Sequence, residues 1–560
     1  MKHWIALAGI VALGAGAIFV SERRKVEVPP GPAAVLYLVA DTEQELTRMP
    51  MRFTRISDEE EIAIGNSLAR SYSWSSNSDK PAEVKEVESY LAQVGARLAP
   101  HAHRKLPYQF HYIADEGFIN AFALPGGHVF VGEGLLALMD SEDQLAAVLG
   151  HEIEHIDHYH SAERVQQEQA LRKIPLGGLI GIPVEVFEVG YSKDQELEAD
   201  REGTRLAVEA GYSASGAIRM FETFERLYQQ AQAPAKTPEE ELSHVALETL
   251  EGYFRSHPLP AERIDEINRL IASEHWELKP ERDLEVAYIF WTAKANAALE
   301  SHRYQRAEQL AARSLKIRAQ QPQALEALAR AQFAQAEFAS SAESYRKLLE
   351  LDPSDPKIVS RFAMALGAHD RREAAGEFRQ WADSAKRAPS SELRVPAAGL
   401  QLLAGNSEPA RQLRYELLTE ADRMGELGWW YYLAGDLPSA GSLLDSAVER
   451  RPGDPVLRVR LAWTEIEAMR LSDALETLNT ANGEGSPVPE RTMARAVAEW
   501  LGQQPDQALR DFQTALDGQP EWGNSSWVEA LYSPKVASSV AQMQAERERR
   551  RKLQLAHSRP

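Results

Sequence analysis

Leu145-Ala-Ala-Val-Leu-Gly-His-Glu-Ile-Glu-His155 decides how the rest of the chain is read. Its last five residues are His-Glu-x-x-His on an apolar run suited to a buried helix. An α-helix turns about 100° per residue, so His151 and His155 stand one turn apart on one face. Two imidazoles so placed can share a tetrahedral zinc ion. Glu152, next to the first imidazole, can reach a water on that metal, where a general base is needed. Two hydrogen-bonded histidines with an exposed Glu would carry the same letters. The apolar lead-in from Ala146 to Gly150, which suits a helix crossing a core, favours the metal.

A catalytic zinc needs a third protein ligand and an open position. The chain has no cysteine, so that ligand is a His or a carboxylate. The longer pattern His-Glu-x-x-His-x-x-Gly-x-x-His fails, because its Gly position is His158 and its last His position is Ser161. His158 and His160 are therefore read as supporting or surface residues on the same helix. Glu196-Leu-Glu-Ala-Asp200 is the better source. Glu196 and Asp200 fall one turn apart, and Ala199 and Gly203 are small enough for close helix packing. Glu196 completes a His-His-Glu set, and Asp200 can orient His151 or His155 from behind. An exposed acidic helix start would look similar, since carboxylates favour helix N-termini.

Working outward, Ser57-Asp-Glu-Glu60 and Ser141-Glu-Asp-Gln144 are capping boxes, the second launching the His-Glu-x-x-His helix. Val84, Val87, Leu91, Val94 and Leu98 mark an amphipathic helix. Phe110 to Ile113 reads as a strand, and Asn120 to Val131 as strand, Gly-Gly turn, strand. Ile174 to Val184 is apolar but broken by Gly and Pro. Gln232 to Pro238 is a linker, and a helix runs from Ala261 to about Ile271. Trp4 to Val20 is an uncharged 17-residue run. Ala15-Gly-Ala17 suits cleavage of a signal peptide, while Arg23, Arg24 and Lys25 suit a membrane anchor with a cytoplasmic carboxyl side. Both readings stay open.

From about residue 285 an Ala-rich helical pattern takes over. Ala307, Ser341, Ala375, Ala410, Ala440, Ala474 and Ala508 recur at steps of 34, 34, 35, 30, 34 and 34. Pro353, Pro452 and Pro520 each follow such a marker by 12 residues, where a second helix should end. The period resembles the tetratricopeptide repeat, a helix–turn–helix unit whose arrays bind peptides or proteins. The irregular steps leave the middle repeat undefined. The fold class expected is mainly α. An α+β zincin-like metallopeptidase domain, helical with a small sheet, precedes an α-solenoid. The boundaries are 1–25 for the signal or anchor, 26–275 for the metal domain, 285–535 for the repeats and 536–560 for a basic tail. With 560 residues and a formal net charge of −21, the chain exceeds one core and lacks the basic field that attracts nucleic acid. Arg547-Glu-Arg-Arg-Arg-Lys552 is a short basic run that reads as solvated.

His151-Glu-x-x-His155, Glu196-x-x-Ala-Asp200 and Asn120-Ala-Phe-Ala together resemble the zinc metallopeptidase family of the HtpX and CAAX prenyl endopeptidase type. The chain is most similar to the soluble periplasmic branch with C-terminal tetratricopeptide repeats, because it has one apolar segment instead of several. The Ser256-His-Pro-Leu-Pro260 corner also resembles that branch. The resemblance implies one zinc ion per chain on His151, His155 and Glu196, with Glu152 as general base. It implies that Gly127, His128, Val129, Phe130 and Val131 form the edge strand that pairs with extended substrate. His257 is a candidate for stabilising the oxyanion or for holding the enzyme idle. The function expected is a zinc metalloendopeptidase acting on protein substrates in the bacterial cell envelope, with protein or peptide ligands on the repeats and membrane contact through an uncleaved N-terminus. The competing class is a repeat adaptor or chaperone whose metal site is structural or vestigial.

Overall fold

The computed structural model describes residues 57–72, 80–165, 191–232, 260–352, 355–384, 391–417, 419–480 and 489–557. The apolar N-terminal run, the 174–184 stretch, the 232–238 linker except Gln232, and His257 lie outside them. The chain divides into two compact units, Met1–Ala287 and Tyr288–Pro560. Among the described residues no helix is long and apolar enough to cross a membrane.

The first unit opens with α1 (Asp58–Tyr72) and α2 (Ala82–Leu98). Ser57 and Glu60 form the expected reciprocal cap on α1, each donating a backbone N–H to the other's side chain at 3.2 Å. The α2 stripe Val87, Leu91, Val94 and Leu98 is buried. It lies against β1 (Gln109–Ile113), the first strand of a three-stranded sheet. β2 (Ala121–Leu124) and β3 (His128–Gly132) form the expected hairpin. Gly126 and Gly127 turn it at φ 77° and 107°, in the left-handed region open to glycine. The sheet order is β1-β3-β2, with β1 parallel and β2 antiparallel to β3. Ile64 and Leu68 of α1 pack on Phe122, Leu124 and Phe130.

Next come the short α3 (Glu133–Leu136), then α4 (Glu142–Asp157), α5 (Lys193–Glu209), α6 (Ser215–Gln232) and α7 (Pro260–Glu274). The Ser141 capping box on α4 is formed, with Gln144 as its return partner. Asp143, 1% exposed, accepts the backbone N–H of Ser213 at 2.6 Å and of Arg282 at 2.7 Å. It thereby ties the start of α4 to the segment after α7. Asp143→Ala is expected to leave both donors without this acceptor and to cost about 2 kcal/mol. The readout is the urea midpoint of the first unit, and an unchanged midpoint would contradict it.

The second unit consists of helix pairs, beginning with Ala287–Glu300 and Tyr304–Ile317 and ending with Pro489–Leu501 and Pro505–Gly518, before Ser525–Leu531 and Pro534–His557. All seven repeat markers are buried near the start of the second helix of a pair. Six first helices end in the same way. His302, Ala336, Gly405, Gly435, Met469 and Gln503 have positive φ. The next N–H then reaches back five residues, as from Arg303 to Ala298 and from Gln504 to Glu499, which satisfies helix-end carbonyls. The 30-residue step has a local cause. Ala410 lies in a short second helix, Glu408–Glu416, of 9 residues where Phe338–Leu351 has 14, and the next helix follows closely at Ala421. Leu471–Asn479 is equally short, but a longer segment follows it before Pro489.

Candidate metal centre

α4 and α5 cross with almost no side chain between them. A Cβ built on Gly150 would sit 2.6 Å from the Gly203 carbonyl oxygen, and one on Gly203 would sit 2.6 Å from the His151 nitrogen. The crossing aligns the one-turn pair on α4 with the one-turn pair on α5. A third capping box, Ser192 with Gln195, fixes where α5 begins, three residues before Glu196. Its letters, Ser-x-x-Gln, are those of the box at Ser141.

The side chains of the two pairs converge. His151 Nε2 and His155 Nε2 are 3.0 Å apart. Glu196 reaches them with Oε2 at 3.5 Å and Oε1 at 3.6 Å respectively. All three residues are buried. Metal–ligand bonds of about 2.0–2.1 Å in a tetrahedron hold donor atoms about 3.3–3.4 Å apart, so this triangle is close to the size a zinc ion requires. Charge argues the same way. Glu196 and Asp200 are enclosed carboxylates that share the single guanidinium of Arg263, which leaves net negative charge that a cation would offset.

The backing of His151 is explicit. Its Nδ1 lies 2.9 Å from Asp200 Oδ1. Asp200 is gripped by Arg263 of α7, whose Nε donates at 2.6 Å. Arg263 is 1% exposed and lies over the Phe221 ring at 4.3 Å. Burial resists charge on both groups. Even so, Arg263 and His151 hold the Asp200 carboxyl below its ordinary value, and bonds to Asp200 and Glu196 push His151 up to about 10. Arg263 is not among the residues expected from the sequence. Its signal was an arginine in register with Ile267 and Leu270 on the buried stripe of α7.

Glu152 is 2% exposed and shares a small cavity with Ala147, Val148, Thr204, Met220 and Phe221. Burial pushes its carboxyl up to about 7, with His151 opposing, Glu196 adding and Arg263 opposing. A carboxyl in that range suits proton transfer near neutral pH.

Two expectations need correction. The stretch Gly127, His128, Val129, Phe130 and Val131 is not an edge. β3 is the middle strand, bonded to β1 on one side and β2 on the other, so its backbone groups are already used. His128 is also occupied, with its ring nitrogens 3.0 Å from His111 Nε2 and 3.1 Å from Asn66 Oδ1. His158 and His160 are not on the metal-ligand helix. α4 ends at Asp157, and Tyr159 at φ 63° turns the chain before His160.

Residues 85–271 match the model of peptidase family M48, and residues 431–495 match a tetratricopeptide-repeat model. The beta-barrel assembly-enhancing protease of Escherichia coli K12 is 27% identical over 199 residues, 32% of this chain and 37% of that protein. The protease of that name from Yersinia pestis is 27% identical over 179 residues, 28% of this chain and 36% of that protein. The mitochondrial metalloendopeptidase OMA1 of Schizosaccharomyces pombe is 34% identical over 144 residues, 24% of this chain and 42% of that protein. The chain thus spans well under half the length of the curated relatives it matches.

Proposed function

We propose that this chain, whose residues 85–271 match the model of peptidase family M48, is a zinc-dependent metalloendopeptidase of protein substrates with a protein-binding repeat region. The observation that carries this reading is the closed triangle of His151, His155 and Glu196 with Glu152 beside it. A purely structural site has no use for a buried carboxyl next to an open position.

One zinc ion per chain on those three donors would supply a Lewis acid, which lowers the pKa of bound water to about 7 and polarises a carbonyl. Glu152 accepts the proton of the attacking water and returns it to the leaving amine. Asp200, clamped by Arg263, holds the His151 ring with Nε2 toward the centre. The extended substrate is assigned to β2 in place of β3. Gly132 N–H donates to the Asn120 carbonyl at 2.9 Å, and Phe122 and Leu124 follow Asn120 in the ladder to β3. This phase turns the backbone of Ala123 toward the outer edge, where a peptide can add as a further strand. His257 keeps its two candidate roles, the oxyanion or the idle state.

We assign 26–275 to catalysis, 285–535 to repeats that hold protein or peptide ligands, and 536–560 to a basic tail. The name of the Escherichia coli relative refers to β-barrel assembly, which supports quality control in the cell envelope as the setting. Residues 1–25 would tether or export the chain.

Chelation tests the reading. Removing zinc from the full chain is expected to abolish cleavage of an unfolded protein, and one equivalent of zinc to restore it. Cleavage that survives complete zinc removal would refute it. A chain that never cleaves but still binds peptides would favour the adaptor.

A further inference from the structure

We infer that His160 is a positioning residue for the zinc ligand His155, linking it to the Glu198 carboxylate through a neutral imidazole; this rests on the zinc reading above. His155 faces the centre with Nε2, so the lone pair is there and the proton is on Nδ1. The partner of that N–H is Nδ1 of His160, 3.0 Å away. An accepting Nδ1 leaves the His160 proton on Nε2. That nitrogen lies 3.4 Å from Glu198 Oε2. One direction of donation therefore runs from His155 to His160 to Glu198, and both tautomers follow from it.

The surroundings hold the relay in place. His160 is 5% exposed. The His155 ring is stacked on Tyr191, with centroids 3.9 Å apart and planes 18° apart, so it cannot turn to another partner. The other Glu198 oxygen lies 3.5 Å from His158 Nδ1, and His158 Nε2 lies 3.2 Å from Glu154. Helical continuation would have carried residue 160 about 140° round from His155. The left-handed turn at Tyr159 brings it back.

The arrangement gives α5 three tasks. Glu196 and Asp200 share a face and meet the histidines directly. Glu198, two residues from each, points elsewhere, and the His160 ring spans the gap. The two histidine ligands are thus backed by different chemistry, His151 by a carboxylate and His155 by an imidazole that a carboxylate orients.

The test measures zinc affinity of the full chain by chelator competition. His160→Leu removes the acceptor while keeping bulk, and His160→Asn keeps an oxygen where Nδ1 stands. Leu is expected to weaken zinc binding about 10- to 100-fold, the range for lost partners of ligating histidines. Asn is expected to stay within about threefold of wild type on the same argument. Glu198→Gln, at a half-exposed site, should shift affinity in the direction of Leu. Equal affinities for the Leu and Asn variants, at whatever level, would overturn the role. Should Leu fail to fold, an unchanged affinity in Glu198→Gln would overturn it as well. Failure of the parent reading is distinct: there the wild-type chain itself binds no stoichiometric zinc.

Discussion

Glu152→Gln is expected to lower kcat/KM for peptide hydrolysis about 10²- to 10⁴-fold, the usual worth of a positioned general base, while zinc remains at one per chain. The two halves of this expectation have separate causes. Glu152 is not among the three converging donors, so a neutral amide in its place leaves the coordination set intact. The same amide cannot take a proton from water. The fold should tolerate the change, because burial already presses this carboxyl toward its neutral form and Gln matches its volume. Hydrolysis of an unstructured protein and elemental zinc analysis on the same sample check both halves. Activity within tenfold of wild type would remove Glu152 from the chemistry. Loss of zinc would make it a ligand instead.

Much of this centre was legible because helices convert sequence spacing into direction. His151 and His155 on α4, and Glu196 and Asp200 on α5, each needed only a one-turn interval to be placed on one face. Capping boxes are equally local, and the box at Ser141 fell where its letters put it. What depends on distant partners was not legible. β2 and β3 form a hairpin that any strand reading finds. The arrival of β1 on the far side of β3, which turns an expected edge into a centre, is a long-range pairing with no local mark. Arg263 belongs to the same class, since its carboxylate partner lies 63 residues away. The place of His160, expected as a supporting or surface residue on the same helix, was hidden for another reason. A tyrosine at positive φ is uncommon, and nothing in His158-Tyr-His160 announces that the helix stops. In the repeats, the 34-residue period was plain, and the short helix behind the 30-residue step was not.

Gly203→Val is expected to weaken zinc binding and lower stability together, although residue 203 touches no metal donor by its side chain. A Cβ there would meet His151 N at 2.6 Å, with Gly150 C and His151 Cα at 2.8 Å. All three are backbone atoms of α4, so no side chain can swing aside. Ordinary carbon contacts need about 3.5–4.0 Å. α4 and α5 must therefore part by roughly 1 Å, and the two methyls of Val add to this. Metal–ligand bonds tolerate only about 0.2 Å. Glu196 rides on α5 and the histidines on α4, so the parting opens the triangle at its longest edges. The His151–Asp200 bond of 2.9 Å crosses the same boundary and loosens with it. Overpacking of this kind costs about 1–3 kcal/mol, and a β-branched residue at a backbone contact belongs at the upper end. Zinc affinity should fall by at least about 100-fold, beyond what loss of one supporting hydrogen bond gives. Gly203→Ala, with the Cβ alone, should fall between wild type and Val in both measurements. Zinc competition and urea unfolding on the three chains decide the matter. A Val variant that binds zinc like wild type would mean that the helices do not set the triangle.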